Sequence, residues 1–257
     1  MKIISQIDSK ELLVIAKNAA KSAGDFLDSS KRIMRQVDIQ SRRDVKIRGD
    51  QESEMVILNY LKENTQIPIL SEEIGQASDK GDSNIIRWIV DPLDGSLNYS
   101  RGITLCCISI GLWQGDKPVL GVVYDFNNNE MFSGIVGEDA WLNDHRIRVS
   151  TNSKREDSVL CTGFPVNTDF SSDAIETFVE DIRSYKKVRL LGSAALSLAY
   201  VASGRADAYY EKNIMIWDIA GGLAIVVGAG GDYDLETGCI ANSYKCWGSN
   251  RIICNSK

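Results

Sequence analysis

The residues best suited to do chemistry are acidic, and they follow apolar runs. In Trp88-Ile89-Val90-Asp91-Pro92-Leu93-Asp94-Gly95-Ser96-Leu97-Asn98-Tyr99 an apolar strand ends, and two aspartates follow at i and i+3 around a proline. Proline fixes φ and has no N–H to donate, so the strand is expected to turn at Pro92 and bring both carboxylates to one side. Gly95 permits close backbone approach, and Ser96 can cap a short helix whose free N–H groups suit a phosphate. An Asp-Pro turn with a helix cap accounts for the same residues without any reaction. Glu72 and Glu73 follow the apolar run at 67–70, where a solvated loop is the plainer account. Trp217-Asp218-Ile219-Ala220-Gly221-Gly222 opens an apolar helix, and Asp218 can be its N-cap. Glycines are costly in a helix that needs only stability, so Gly221 and Gly222 suggest a close-packed neighbour.

Taken together, Glu72, Glu73, Asp91, Asp94 and Asp218 form an acidic constellation whose members repel one another unless something offsets their charge. Hard divalent cations do so, and oxygen-only ligands suit Mg²⁺. A phosphate dianion cannot approach bare carboxylates, but it can bridge to metals that they hold. The expected reaction is direct attack on phosphorus by a water that the metals orient, with the leaving oxygen stabilised.

Other chemistries are thinly supplied. The single histidine, His145, lies in the turn-like stretch 143–146, which leaves no Ser-His-Asp triad and no histidine-rich metal site. The cysteines, Cys106, Cys107, Cys161, Cys239, Cys246 and Cys254, form no CxxC pair and read as reduced thiols. No Walker A motif occurs. A net charge of −6 argues against nucleic acid as a partner. The basic cluster Arg42, Arg43, Lys46 and Arg48 reads as a solvated strand face, because Val45 and Ile47 alternate with it; drawing anionic substrate inward is the other reading. No apolar stretch is long enough to span a membrane, and the polar start lacks the features of a secretory signal, so the cytoplasm is the expected location.

The positioning elements can be read from periodicity. Helices are expected over 8–35, capped by Asp8 or Ser9, and over 50–63. A short strand at 67–70 precedes β-rich runs at 85–90, 103–113, 119–125 and 131–136, with an edge strand at 147–150. These imply an antiparallel meander flanked by helices. Beyond the polar stretch 150–158, strands at 159–161, 188–191 and 206–211 alternate with helices at 173–183, 193–202 and 217–229, and a last strand is expected at 252–254. The division is therefore into residues 1–150, an α+β half with most of the acids, and residues 151–257, an α/β half with Asp218.

Asp91-Pro92-Leu93-Asp94-Gly95-Ser96-Leu97-Asn98-Tyr99 is similar to the signature of the inositol monophosphatase family. Trp217-Asp218-Ile219-Ala220-Gly221-Gly222, followed by Ala229-Gly230-Gly231, resembles its second signature, and Glu72-Glu73 its upstream acidic pair. The resemblance implies an α+β fold, a layered α-β-α-β-α sandwich, with the metals between the halves and two to three Mg²⁺ per site. It implies that Glu72, Asp91 and the Leu93 carbonyl hold one metal, that Asp91, Asp94 and Asp218 hold a second, and that a third sits near Glu72 and Glu73. Ser96 stands where the family usually has a water-activating threonine. Asp50 fits the acidic partner of that hydroxyl, although Gly49 replaces the usual threonine before it. The Gly95 and Ser96 N–H groups would hold phosphate.

Substrate contacts implied by the resemblance are Gly192, Ser193 and Ala194, where plain N-capping by Ser193 is the alternative, together with Glu211 and Asp218. Met215 stands where inositol-specific animal enzymes carry a histidine, which removes a polar contact expected for strict inositol specificity. The implied activity is hydrolysis of a small polyol or sugar phosphate, with myo-inositol 1-phosphate first. Fructose 1,6-bisphosphate, histidinol phosphate and 3′-phosphoadenosine 5′-phosphate remain alternatives, as does a non-enzymatic role binding protein or RNA, since some bacterial relatives are associated with transcription complexes. Lithium sensitivity and a homodimer are implied on the same basis.

Overall fold

A computed structural model describes residues 8–40, 45–74, 85–166 and 168–253, so Arg42, Arg43 and Cys254 lie outside the described residues. The carboxylate of Asp8 accepts from the Lys10 N–H at 3.1 Å and starts helix α1 (Ser9–Ser29), whose buried face is rich in alanine. The single helix expected over 8–35 is broken at Ser30, where φ −115° and ψ 16° leave the helical region, and α2 (Lys31–Met34) is a separate turn. A small hairpin, β1 (Val37–Gln40) with β2 (Val45–Ile47), leads into α3 (Arg48–Asn64).

Seven strands then form one sheet in chain order: β3 (Ile69–Ser71), β4 (Ile86–Asp94), β5 (Cys107–Gln114), β6 (Lys117–Asp125), β7 (Glu130–Ile135), β8 (Ala140–Leu142) and β9 (His145–Ile147). Only β3 and β4 run parallel; the rest is the expected meander, with a short helix α4 (Ser96–Arg101) after β4. The strand expected from 103 begins only at Cys107, and β9 ends at Ile147, so 147–150 adds no edge strand.

The second sheet has the order β11-β10-β12-β14-β13. Strand β10 (Val159–Thr162) lies parallel to both β11 (Lys187–Leu190) and β12 (Ala208–Met215). Helix α5 (Ser172–Ile182) connects β10 to β11, and α6 (Ala194–Ala202) connects β11 to β12. After α7 (Ile216–Gly228), the hairpin of β13 (Asp232–Thr237) and β14 (Ser243–Ser249) completes the sheet. The closing strand expected at 252–254 is absent among the described residues, since 251–253 form a bend and turn; the hairpin takes that place. Its alternation, Tyr233 with Leu235 and Tyr244 with Cys246, carries the strand signal.

Helices α1 and α3 cover one face of the seven-stranded sheet, α6 and α7 fill the space between the sheets, and α5 flanks the far face of the second sheet. This is the layered α-β-α-β-α sandwich. The buried cluster around α7 draws Ile89, Cys107 and Phe132 from the first sheet and Cys161, Tyr209 and Cys246 from the second, so the sheets share one interior.

Helix α7 comes very close to the first sheet. A Cβ added at Gly121 would lie 2.1 Å from the Gly221 carbonyl oxygen, and one at Gly111 would lie 2.8 Å from the Ala220 carbonyl carbon. The Trp113 indole N–H donates to the Ala220 carbonyl at 3.1 Å. The small residues at the start of α7 therefore serve backbone-to-backbone packing. Replacing Gly121 by alanine should push α7 outward at a cost of about 1–3 kcal/mol. At about 2–4 °C per kcal/mol for a chain of this size, the melting temperature should fall by several degrees. A thermal melt of Gly121→Ala superimposable on the parent would refute this contact.

Candidate active site

The strand that carries Asp91 and Asp94 does not stop at the proline. It continues to Asp94 by way of a bulge: Asp91 pairs with Ser109 and Asp94 with Cys107, so three steps on β4 match two on β5. In a regular strand i and i+3 point to opposite faces, and one extra residue restores them to the same face. Leu93 packs in the cluster under α1 and α3, as Val90 does, while both carboxylates face α6 and α7. The bulge also gives Pro92 a position where no ladder N–H is required. The expected common side for the two aspartates is present; a bulge within the strand, and not a turn ending it, produces it.

Three acids converge. One carboxylate oxygen from each of Glu72, Asp91 and Asp218 lies within 4.8 Å of the other two. Glu72 follows β3, with its N–H on the Val90 carbonyl at 3.3 Å. Asp218 is not the N-cap of α7 but its third residue, and its carboxylate reaches back to the Met215 N–H at 3.2 Å. Asp94 joins from the side. Its Oδ2 accepts from the Ser193 hydroxyl and the Ala195 N–H, each at 2.6 Å, which anchors β4 to the start of α6. Ser193 is also the N-cap of α6, accepting from the Leu196 N–H at 3.3 Å. Glu73 turns toward Lys46, with 2.8 Å between Oε2 and Nζ.

Next to this cluster, Asp50 is the third residue of α3. Its Oδ2 accepts from the Ile47 N–H at 2.8 Å, and its Oδ1 accepts from the Ser96 hydroxyl at 2.6 Å. The Leu93 carbonyl oxygen is 2.9 Å from the same hydroxyl. Gly95, the N-cap of α4, has φ +91°, and a Cβ there would lie 2.8 Å from the Leu105 carbonyl oxygen. Gly192 also has a positive φ, +72°, in the turn before α6, and Ala194 is the first residue of that helix. Glu211 is buried in the middle of β12, just before that strand's bulge, and close enough to Asp94 to feel its charge.

Burial and mutual repulsion dominate the electrostatics. Burial, then the charges of Asp218 and Glu73, holds Glu72 well above the usual carboxylate range. Asp91 is raised by burial and then by Glu72, Asp94 and Asp218; Asp218 is raised by burial and then by Asp94. Burial pushes Asp94 up to about 6, Asp50 to about 7 and Glu211 to about 8. Oxygen-only, mutually repelling carboxylates, Asp91 buried and Glu72 and Asp218 half-buried, are the donor set that a hard divalent cation satisfies, so the three fit such an ion.

Two residues that sequence reasoning passed over build this site. Glu54 is buried on α3 and accepts from the Glu73 and Ile74 N–H groups at 3.2 and 3.3 Å, which fixes the backbone just after Glu72. Its position on the same helical face as Asp50, Ile57 and Leu61 was the available signal. Asn98 donates from its amide to the Leu105 carbonyl at 2.7 Å and the Leu191 carbonyl at 2.8 Å, tying the turn before α6 to α4. A family model described as the inositol monophosphatase family matches residues 8–257. The chain is similar to Nus factor SuhB of Pasteurella multocida, 35% identical over 86% of this chain and 83% of the relative. It is 36% identical to inositol monophosphatase 1 of Solanum lycopersicum, over 86% of this chain and 83% of that one. Among solved structures, the inositol monophosphatase of Anabaena (Nostoc) sp. PCC 7120 superposes with a TM-score of 0.80 at 31% identity, covering 95% of this chain and 92% of that one.

Each raised acid holds its proton more tightly in the folded chain than in the unfolded one. Between the ordinary values of 3.8 and 4.5 and raised values reaching about 8, the folded state therefore binds more protons. Stability contributed by these groups is complete below the ordinary values and is lost as pH climbs through that window. The metal-free chain should melt lower near pH ~8 than near pH ~5, and Mg²⁺ should raise the melting temperature more at the higher pH. Equal stabilisation at both would contradict the cluster. Substituting Glu54 by alanine should weaken Mg²⁺ binding by about 10–100-fold, the usual effect of losing a group that orients a ligand; calorimetric titration measures it.

Proposed function

The chain belongs to the inositol monophosphatase family, a family of phosphatases, and on that premise we propose that it hydrolyses a small polyol or sugar phosphate monoester with Mg²⁺, with myo-inositol 1-phosphate first among substrates. The observation that carries this reading is the convergence of Glu72, Asp91 and Asp218. Glu72, Asp91 and the Leu93 carbonyl would hold one Mg²⁺, and Asp91, Asp94 and Asp218 a second, with a third, weaker one near Glu72 and Glu73. Because Asp94 Oδ2 is committed to α6, Oδ1 is its oxygen for an ion. When bound, Mg²⁺ offsets the acidic charge, polarises the phosphoryl group and favours loss of a proton from water.

The chain's own residues set the geometry of attack. Asp50 Oδ1 accepts from the Ser96 hydroxyl at 2.6 Å, which turns a lone pair of the Ser96 oxygen toward a water; Ser96 takes the water's proton as it passes its own to the Asp50 carboxylate. The N–H groups of Gly95 and Ser96, free at the start of α4, receive phosphate oxygens. Gly192, Ser193, Ala194 and Glu211 bound the space where the leaving alcohol would sit. Lithium sensitivity, a homodimer and a cytoplasmic location belong to the same reading. None of the described helices is long and apolar enough to cross a membrane.

A second role, binding a protein or RNA partner on the same scaffold, is favoured by relatives named Nus factor SuhB at 35–38% identity. The two readings part in one assay. The purified chain should release phosphate from myo-inositol 1-phosphate only with Mg²⁺ and should be inhibited by lithium. Asp94→Asn should abolish release, and Ser96→Ala should lower kcat about 10²–10⁴-fold. No release from any phosphorylated metabolite would sink the hydrolytic reading and leave the binding role.

A further inference from the structure

Two members of the basic cluster, Lys46 and Arg48, lie among the described residues, and they go different ways. Arg48 stays on the surface of α3, with Nε 3.7 Å from Glu52. Lys46 does not lie on an open strand face. Its Nζ is 2.8 Å from Glu73 Oε2, and the Glu73 side chain is only 9% exposed. Exposed ion pairs form loosely and contribute little, whereas this carboxylate is covered and aimed. The Glu73 N–H donates to Glu54 at 3.2 Å, so the backbone that carries the carboxylate is held as well.

The ammonium reaches the site on the same short stretch of chain that brings Asp50 and Glu54. Lys46 directly precedes Ile47, whose N–H holds Asp50 Oδ2 at 2.8 Å. Glu73 directly follows Glu72, a member of the converging triad. Burial raises Asp50 and Glu72, and the Lys46 charge works against that rise in both. The corner of the site where a third, weaker Mg²⁺ is placed, near Glu72 and Glu73, therefore already holds a cation of the chain's own. An ammonium is a compact point charge, and it repels a divalent ion that approaches the same carboxylate. Mg²⁺ also sheds its water reluctantly and demands near-ideal octahedral geometry, so a carboxylate already engaged is a poor ligand for it.

We propose that Lys46 is the resident cation of this corner: a third Mg²⁺ enters only by displacing the ammonium from Glu73, and this competition is what makes that ion the weak one. The proposal rests on the reading of the acids as a Mg²⁺ site. Lys46 is then a positioning residue that sets how many divalent ions the chain carries at a given Mg²⁺ concentration. A merely structural ion pair has the opposite signature, since losing it would loosen the site.

Mn²⁺ shares the oxygen ligands and octahedral geometry of Mg²⁺, and the paramagnetic resonance signal of the free ion measures how much the chain has bound. Lys46→Met keeps most of the aliphatic stem and loses the charge. It should hold its weakest-bound Mn²⁺ about tenfold or more tightly than the parent does, the order expected when a like charge a few ångströms from a divalent ion is removed. Lys46→Arg keeps the charge and should show no such gain, and Glu73→Gln should loosen the same ion. In the unaltered chain, acylation of Lys46 by an amine-directed reagent, read by mass spectrometry, should rise as that ion fills and the ammonium is released. Unchanged or looser binding in Lys46→Met overturns the proposal, as does a gain in Lys46→Arg or Glu73→Gln, or acylation of Lys46 that stays flat or falls across the titration. The acylation needs no variant, so it decides the matter even where Lys46→Met fails to fold. A chain that behaves in this way and releases no phosphate would sink the phosphatase reading and leave this one standing; a parent chain that binds no Mn²⁺ overturns both.

Discussion

Glu72, Asp91, Asp94 and Asp218 repel one another yet are held in one place between the sheets, and the rest of the structure is arranged around that constraint. At a separation of 4.8 Å, two carboxylates interact by roughly 3 kcal/mol at an effective dielectric of about 20. The fold meets this with backbone donors. Asp50 is pinned by the Ile47 N–H, Asp91 by Leu93 at 2.9 Å, Asp94 by Ala195 and Asp218 by Met215. Each donor is local or sits at a helix start, where N–H groups lack intrahelical partners and favour negative charge. The anchors fix orientation but leave the repulsion in place, which is why the carboxylates stay raised and suited to a cation.

Orientation then depends on a single extra residue. Without the bulge in β4, Asp94 would face α1 and α3, and Leu93 would face the site. A second bulge lies in β12, where Glu211 pairs with Cys246 and Ile214 with Tyr244 around Asn213 at φ +60°. Bulges re-aim side chains at sheet ends, and here both sheets use one beside the acids. The glycine contact between α7 and β6 serves the same end, setting how near Asp218 comes to the strand bearing Asp91. Asn98 and the Ser193–Asp94 bond tie the helix layer to the first sheet, so the site joins elements far apart in the chain.

Much of the fold was legible because periodicity is local. The meander, the capped first helix and the strand-helix alternation after residue 158 follow from which residues recur at two, three or four positions. Where reading and structure part, tertiary context decided. Ser30 interrupts a helix whose apolar pattern continues, and the hairpin Asp232–Ser249, whose alternation is the strand signal, takes its place in the second sheet by pairing β14 with β12. Glu54 shares a helical face with Asp50, Ile57 and Leu61, but its partners, the N–H groups of Glu73 and Ile74, come from a loop that only the folded chain brings to it.

For the site, the amino-acid sequence by itself determined its chemical type. Carboxylates, one hydroxyl and no useful histidine allow hard-metal chemistry and little else, and two signatures in order assign the family. It could not determine which oxygen meets which partner. Only the folded chain committed Asp94 Oδ2 to α6 and turned Glu73 to Lys46. Residue type is a property of one position, whereas a hydrogen bond or an ion pair is a property of two positions brought within a few ångströms by everything between them.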